Sequence, residues 1–325
     1  MEVNFVLIGG NRLREDGPLL SLAANLIDNG KIVNVVTEDL HLEMPTEDER
    51  PFADRLAELG ISPVVVREVK ADNIGHLIND QTWGLALNAI WIIPPEVIKL
   101  FEGRLFNYHN ARLPEERGAA AYTWKILRGQ RDARLTIHDL TLELDEGDIC
   151  MATEFEIPFG IQADIFRQMR PLEELLLQNW AAECAEGGNF SRIIQNHAES
   201  GYFPRLNTMA NGWIDWSWTA EEIVRFIMAF DDPHPGASTM LGESRIHLKS
   251  AKYSNAENDF HPFHSGLVYR QSSAEIHIAA RGGSIIVADP GGIVRLGSRF
   301  HTPSTILDQA MTMRPAHSHN GIKIK

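Results

Sequence analysis

Over the first two hundred residues, short apolar runs alternate with segments whose apolar positions recur at helical spacing. Val3 to Ile8 is apolar at all but one position and ends at Gly9-Gly10, the pattern of a buried strand. Leu19 to Asp28 predicts a helix with Gly30 as its C-cap. Lys31 to Val36 reads as a second strand. A helix over Glu47 to Leu59, a strand over Val64 to Val69, a helix over Ala71 to Asn79 and a strand over Leu85 to Ile90 follow. Helix Pro95 to Phe101 and strand Leu105 to Tyr108 complete the alternation. Such a sequence of elements predicts an α/β fold with a parallel sheet covered on both faces.

The pattern then changes. A helix over Ala119 to Leu127, stopped by Gly129, precedes strands at 134–140 and 150–157. Leu172 to Glu186 predicts a helix whose Leu and Trp spacing suits packing on a sheet, and Gly187-Gly188-Asn189 ends it. Pro, Gly and Asn accumulate through Gly201 to Asn207, which reads as a linker, so the chain divides into domains at 1–205 and 206–325. Beyond it, a helix at Ala220 to Ala229 is followed by short β-like runs at 244–252, 266–270, 274–280, 284–288 and 293–296, spaced as in a small barrel. The tail from Arg314 reads as an exposed terminus.

Charge narrows the function classes. Lys and Arg number 30 against 44 Asp and Glu, a net of −14. Leu206 onward carries 11 of each sign, so the whole excess lies in the first 205 residues. Phosphate-backbone binding draws on clustered cations, and neither part is basic, so nucleic acid is disfavoured as a partner. No apolar run approaches the roughly 18 residues of a membrane span. The start, Met-Glu-Val-Asn, lacks a secretory leader pattern. A soluble, cytoplasmic protein is expected. Cys150 and Cys184 are the only cysteines and read as buried thiols rather than a disulfide framework. His261, His264, His317 and His319 lack partner ligands in the sequence, and no metal site is expected.

Candidate chemistry concentrates at Asn107, His109 and Asp145. The first two close an apolar run from Gly103 to Tyr108, where an α/β sheet exposes side chains at its carboxyl edge. Asp145 sits in the turn-like Glu143-Leu-Asp-Glu-Gly-Asp148 just after a second strand-like run. The surrounding residues, Phe106-Asn-Tyr-His-Asn-Ala-Arg-Leu-Pro-Glu-Glu-Arg-Gly118, resemble the Asn-x-His-x-x-x-Leu-Pro-x-x-x-Gly signature of folate-dependent formyltransferases. Leu135-Thr-Ile-His138 and Leu144-Asp-Glu-Gly-Asp148 resemble that family's second block, at the right distance. The Ile214-Asp-Trp-Ser217 and Ala229-Phe-Asp-Asp-Pro233 segments resemble the start of its C-terminal domain. The resemblance implies a Rossmann-like catalytic domain followed by a smaller OB-like β-barrel.

It also implies roles. Asn107 would donate to the oxyanion formed when an amine attacks a formyl carbon, His109 would move a proton or assist that oxyanion, and Asp145 would orient and charge-stabilise His109. Whether His109 or Asp145 is the base stays open. His138 would support Asp145 or simply pack. The implied formyl donor is N10-formyltetrahydrofolate, held by main-chain groups and apolar walls in the segment around Asn88, Ile90, Trp91 and Ile92 and in the facing loop from Asp139 and Leu140. Trp91 could instead fill core. Gly9-Gly10 does not match G-x-G-x-x-G and reads as a strand-to-helix turn facing the substrate, which makes Gly10 and Asn11 candidate contacts. Arg112, as a phosphate partner, and Trp124 complete the substrate candidates.

The two-domain plan occurs in methionyl-tRNA formyltransferases and in enzymes that formylate nucleotide-linked amino sugars. The charge balance, Glu115-Glu116, and His109-Asn-Ala-Arg-Leu-Pro114 in place of His-Ala-Ser-Leu-Leu-Pro favour the sugar-acting group. The expected partner is a nucleotide-sugar, and a homodimer fits the resemblance. Methionyl-tRNA formyltransferase is the alternative; a formyltetrahydrofolate hydrolase or a non-catalytic binding module stands further off.

Overall fold

The computed structural model describes residues 3–256 and 260–312. Strands β1 (Asn4–Gly9), β2 (Ile32–Thr37), β3 (Val64–Val65), β4 (Thr82–Leu87) and β5 (Leu105–His109) are parallel. After the two-residue β6 (Arg117–Gly118), β7 (Asp132–Asp139) extends the same sheet antiparallel to β5, and β8 (Ile149–Glu156) pairs antiparallel to β7 at its edge. The order β3-β2-β1-β4-β5-β7-β8 puts the reversal of strand order between β1 and β4. Side-chain alternation sorts the core onto two faces. Phe5, Leu7, Leu85, Leu87, Phe106 and Tyr108 pack in the larger cluster with helices α1 (Pro18–Asp28), α3 (Phe52–Glu58), α6 (Ala121–Arg128) and α7 (Gln162–Ala185). Val6, Ile8 and Leu105 face the other way, toward α4 (Ala71–Ile74) and α5 (Pro95–Leu100).

Several elements differ from the sequence reading for local reasons. The helix expected from Glu47 begins only at Phe52, because Thr46, Asp48 and Arg50 tie a polar turn closed and Pro45 bridges Pro51. A short α2 (Asp39–Leu42) precedes that turn. The strand expected at Val64–Val69 shrinks to two residues at the sheet edge, and the helix at 71–79 tightens after Ile74 into a 3-10 turn. The fourth strand lies three residues earlier than expected, so Asn88 to Pro94 forms a loop at the carboxyl edge. Helix α7 starts ten residues before the expected Leu172 and runs through Pro171. A proline inside a helix removes one donor and crowds a carbonyl, at about 3 kcal/mol. Ile165 and Met169 before it, and Leu176, Leu177 and Trp180 after it, lie in one buried cluster that offsets this.

The C-terminal part holds α8 (Thr208–Asn211), α9 (Ala220–Ala229) and two described antiparallel sheets. One is the hairpin of β10 (Ala237–Leu241) and β11 (Ser244–Leu248). The other has the order β12-β15-β14-β13, from β12 (Lys252–Ser254), β13 (Val268–Gln271), β14 (Glu275–Ala280) and β15 (Gly283–Ala288). Met240 and His301, and Leu267 and Arg299, add single antiparallel bridges around them. The expected strand at 293–296 is a turn, while β10 and α10 (Ser304–Thr312) carried too little apolar periodicity to be read. The larger apolar cluster is continuous into this part through Ile223, Phe226 and Ile227. Gln162 Nε2 donates to Ala229 O at 2.9 Å across the same junction. Among the described residues no helix is long and apolar enough to cross a membrane.

Candidate active site

Asn107 and His109 are two residues apart on β5, so both side chains leave the sheet on the face of Leu105. Antiparallel register sets His138 of β7 directly opposite Asn107 and Thr136 opposite His109. The chain then leaves β7, turns through 140–148 and returns at β8, which brings Asp145 back over the same spot. Asn107 Nδ2 lies 3.1 Å from His138 Nε2 and donates to Asp145 Oδ1 at 3.4 Å. His109 Nδ1 is 3.8 Å from Asp145 Oδ2, and both side chains are buried. The Gly118 amide donates to Asp145 Oδ2 at 2.9 Å. Gly118 has φ +105°, and a Cβ there would sit 2.2 Å from the carbonyl oxygen of Phe203, so only glycine brings this amide in.

Carbonyl partners fix the ring protons, because a carbonyl oxygen only accepts. His109 Nε2 lies 2.8 Å from Glu116 O and therefore carries a hydrogen. Its Nδ1 is left as the nitrogen available to chemistry. His138 Nδ1 meets Asp139 O at 2.9 Å and likewise carries its proton, so a neutral His138 accepts at Nε2 from Asn107. Both hydrogens of the Asn107 amide are then engaged, and the long 3.4 Å contact to Asp145 is the one easily exchanged for another acceptor. Burial pushes the Asp145 carboxyl up. The imidazoles of His109 and His138, when protonated, and the Gly118 amide outweigh it and hold the group well below the usual carboxylate range.

Glu116 anchors this corner from behind. Its Oε1 accepts from the fully buried Lys125 Nζ at 2.6 Å and from Arg128 Nη2 at 3.0 Å, and its Oε2 accepts from the Arg112 amide at 3.0 Å. Glu116 is thus an internal ion-pair partner that fixes the carbonyl holding His109. Its acidity is engaged internally, so of the pair Glu115-Glu116 only Glu115 is left to the local charge argument against tRNA.

Residues 85–164 match the family model described as formyl transferase, and residues 207–290 match formyl transferase, C-terminal domain; together they span half the chain. The chain belongs to the formyltransferase family. Among solved structures, WlaRD, a sugar 3N-formyl transferase crystallised in the presence of dTDP and 5-N-formyl-THF, is 18% identical. It matches over 89% of this chain and 97% of its own, with a TM-score of 0.67. An N-formyltransferase from Helicobacter canadensis, in complex with folinic acid and dTDP-3-aminofucose, is 18% identical over 88% of this chain and 98% of that one, with a TM-score of 0.66. Methionyl-tRNA formyltransferase from Clostridium thermocellum is 17% identical over 78% and 96%, with a TM-score of 0.54. At these identities the likeness is one of fold.

In this formyltransferase the expected cofactor segment is a loop whose amides, Ala89 to Ile93, donate no hydrogen bond among the described residues. Asn88 opens it at φ +51° and ties it to the loop after the first strand by donating from Nδ2 to Asn11 O at 2.8 Å. Ile90, Trp91 and Leu140 meet in the smaller apolar cluster, while Ile92 is exposed. Trp91 is core on one side and donates to Arg67 O at 2.9 Å on the other. Asp139 is held by Arg192 Nε at 2.6 Å, which turns its carboxylate away from the triad.

The residues expected to contact substrate each have partners within the chain. Asn11 is fully buried and staples its own loop, donating to Glu15 O and accepting from the Gly17 amide at 2.8 Å. Gly10 packs against the His41 ring so closely that a Cβ would lie 2.1 Å from Nδ1. The Arg112 guanidinium pairs with Glu154 at 3.3 Å and Asp132 at 3.5 Å, and the Trp124 indole donates to Pro204 O at 3.0 Å. Neither is brought to the triad, because each has a nearer partner of complementary charge or polarity.

Cys150 lies 3.6 Å from Asp139 Oδ1, and burial together with that carboxylate pushes its thiol up to about 12, so it stays protonated. His261 caps its own loop by accepting from the Phe263 amide, and His317 and His319 lie outside the described residues. No metal-holding cluster occurs among the described residues. Two residues escaped the sequence reading. His41 is buried beside Gly10 with neither ring nitrogen hydrogen-bonded. Gln195, inside an otherwise polar connecting segment, is buried against the Asp145 turn. A single His in a one-turn helix or a single Gln in a loop gives no periodic signal, so sequence alone had no means to single them out.

Proposed function

We propose that this formyltransferase moves the formyl group of N10-formyltetrahydrofolate to the primary amine of a nucleotide-linked amino-deoxy sugar. The observation that carries the reaction is the juxtaposition of Asn107, His109 and Asp145 with a loop of unused amides at one sheet edge. The fit to a folate is chemical. Free amides at Ala89 to Ile93 and at Thr141 to Leu144 suit a pterin's hydrogen-bonding edge, and the apolar cluster of Ile90, Trp91 and Leu140 suits its faces. When bound, the folate supplies an activated formyl carbon.

The chain's own residues then handle charge and protons. Asn107 Nδ2 exchanges its long contact to Asp145 for the developing oxyanion. His109 Nδ1 takes the proton that the amine loses on attack, since Nε2–H is fixed on Glu116 O, and returns it to the folate nitrogen as the tetrahedral adduct collapses and the bond from that nitrogen to the formyl carbon breaks. Asp145 is a weak base with its carboxyl held low; it stays ionised and stabilises the imidazolium across 3.8 Å. A sugar acceptor is supported by the acidic first 205 residues and by the fold shared with enzymes solved with dTDP and with dTDP-3-aminofucose. The same reading has a cytoplasmic enzyme, a homodimer, and a domain boundary at Leu206.

The test is release of tetrahydrofolate from N10-formyltetrahydrofolate with a panel of nucleotide-linked amino sugars. Turnover is expected with at least one of them. Turnover with charged methionyl-tRNA alone, or without any acceptor, would assign the methionyl-tRNA or hydrolase activity instead. His109→Asn should remove all but about 1% or less of transfer while leaving the thermal midpoint near that of wild type.

A further inference from the structure

The turn that carries Asp145 is held in a conformation it would not keep by itself. Asp145 has φ +54°, in the left-handed region, where an L-residue is disfavoured by roughly 1–2 kcal/mol. The backbone carbonyls of Asp145 and Gly147 both point at a single side-chain amide, Gln195 Nε2, at 2.9 and 2.7 Å. That amide cannot rotate freely, because Gln195 Oε1 accepts from Arg117 Nη2 at 2.9 Å and Gln195 is buried. The other end of the same guanidinium, Arg117 Nη1, bonds Glu146 Oε1 at 2.5 Å, on the residue following Asp145. The residue following Arg117 is Gly118, whose amide grips the Asp145 carboxylate.

Two chain connections fix the clamp itself. Arg117 and Gly118 pair in parallel with β9 (Tyr202–Phe203). Ile193, two residues before Gln195, exchanges backbone hydrogen bonds with Ile149 at the start of β8, each 2.9 Å. His197, mostly exposed, meets Arg117 Nη2 at 3.2 Å and closes the network at the solvent side. The segment from Gly187 to Phe203 therefore wraps around the turn.

We infer that Arg117 and Gln195 are positioning residues for formyl transfer, holding the Asp145 turn so that its carboxylate faces His109. Resting on the proposed role of Asp145, this names residues that touch neither substrate nor reacting atoms. Losing an ångström of alignment in such a site costs on the order of 100-fold in rate. The geometry also separates the two positions. Gln195 supplies the only side-chain donor to the two turn carbonyls among the described residues, whereas Arg117 acts on Gln195 and on Glu146.

The test compares Gln195→Met, Gln195→Glu and Arg117→Lys with wild type by kcat, KM and backbone amide exchange. Gln195→Met keeps the volume without the donor and should lower kcat about 10- to 100-fold, with both KM values within about twofold. The amides of Gly118 and Asp139, which donate to Asp145 Oδ2 and Asp148 O in the turn, should exchange at least about tenfold faster while those of β5 do not change. Gln195→Glu keeps the partner of Arg117 but turns oxygen toward two carbonyls, and should lose as much. Arg117→Lys keeps the charge but only part of the three contacts to Glu146, Gln195 and His197, and should fall between. Wild-type kcat in either Gln195 variant, or a lower kcat with unchanged exchange at Gly118 and Asp139, would overturn the clamp. If no amino sugar is turned over by wild type, the proposed function falls, and the exchange comparison still decides the clamp.

Discussion

His109 and His41 show how one residue type is put to two uses by its partners. His109 gives Nε2–H to the Glu116 carbonyl and keeps Nδ1 toward Asp145, so it is oriented and charge-compensated. His41 has neither. Burial, and then the charge of Arg205, lower its pKa to about 4, against 6.5 for the free side chain. The folded state thus refuses a proton that the unfolded chain accepts below pH 6.5. The stability held at neutral pH is lost progressively as pH falls from 6.5 toward 4, by about 3 kcal/mol at the lower end. His234, also lowered by burial, acts with the same sign. His41→Leu should therefore flatten the dependence without abolishing it, as read from denaturant midpoints between pH 7 and pH 4.5. An unchanged slope would show that His41 is not the group responsible.

Element by element, the site follows from strand alternation and from where each strand stops. The two-residue spacing of Asn107 and His109 puts them on one face, and the antiparallel pairing of β7 with β5 supplies His138 opposite. Had β4 run on to Ile90, the amides of Ala89 and Ile90 would lie within the ladder; its end at Leu87 leaves them free. Helix α7 covers the larger core face despite Pro171, which is exposed and contributes little packing. Pro171→Ala restores a backbone donor and removes ring crowding, offset in part by greater freedom of the unfolded chain. A gain of about 1–2 kcal/mol is expected, seen as a higher thermal midpoint. A lower midpoint would mean that the ring holds a bend the core needs.

For the molecule as a whole, charge and packing give different information. A net of −14 concentrated before Leu206 opposes a long phosphate backbone, yet the local acid at Glu116 proves to be internal. The two acceptor classes should then differ in salt response. A nucleotide-sugar engages few phosphates, so its KM should rise only modestly between 50 and 200 mM salt, on the order of a few fold; tRNA binding would weaken by orders of magnitude. A steep dependence would contradict the sugar assignment. The larger apolar cluster runs without a break from the seven-stranded sheet into the C-terminal strands. Truncation at the composition change would therefore expose Ile223, Phe226 and Ile227 contacts, which a plan of independent units does not suggest.

The sequence by itself determined the alternation of strands and helices, the apolar faces, and the pair Asn107 and His109 at a strand end, because these depend on spacings of two and 3.6 residues. Signature residues around Asp145 carried the reaction class. Only the tertiary structure decided which nitrogen of His109 is left for chemistry, that Glu116 faces inward to Lys125, and that Arg112 and Trp124 are occupied elsewhere. It also joined Gln195 to a turn fifty residues away. Hydrogen bonds and ion pairs between distant segments leave no period in a sequence, since each depends on a single contact that the folded chain alone creates.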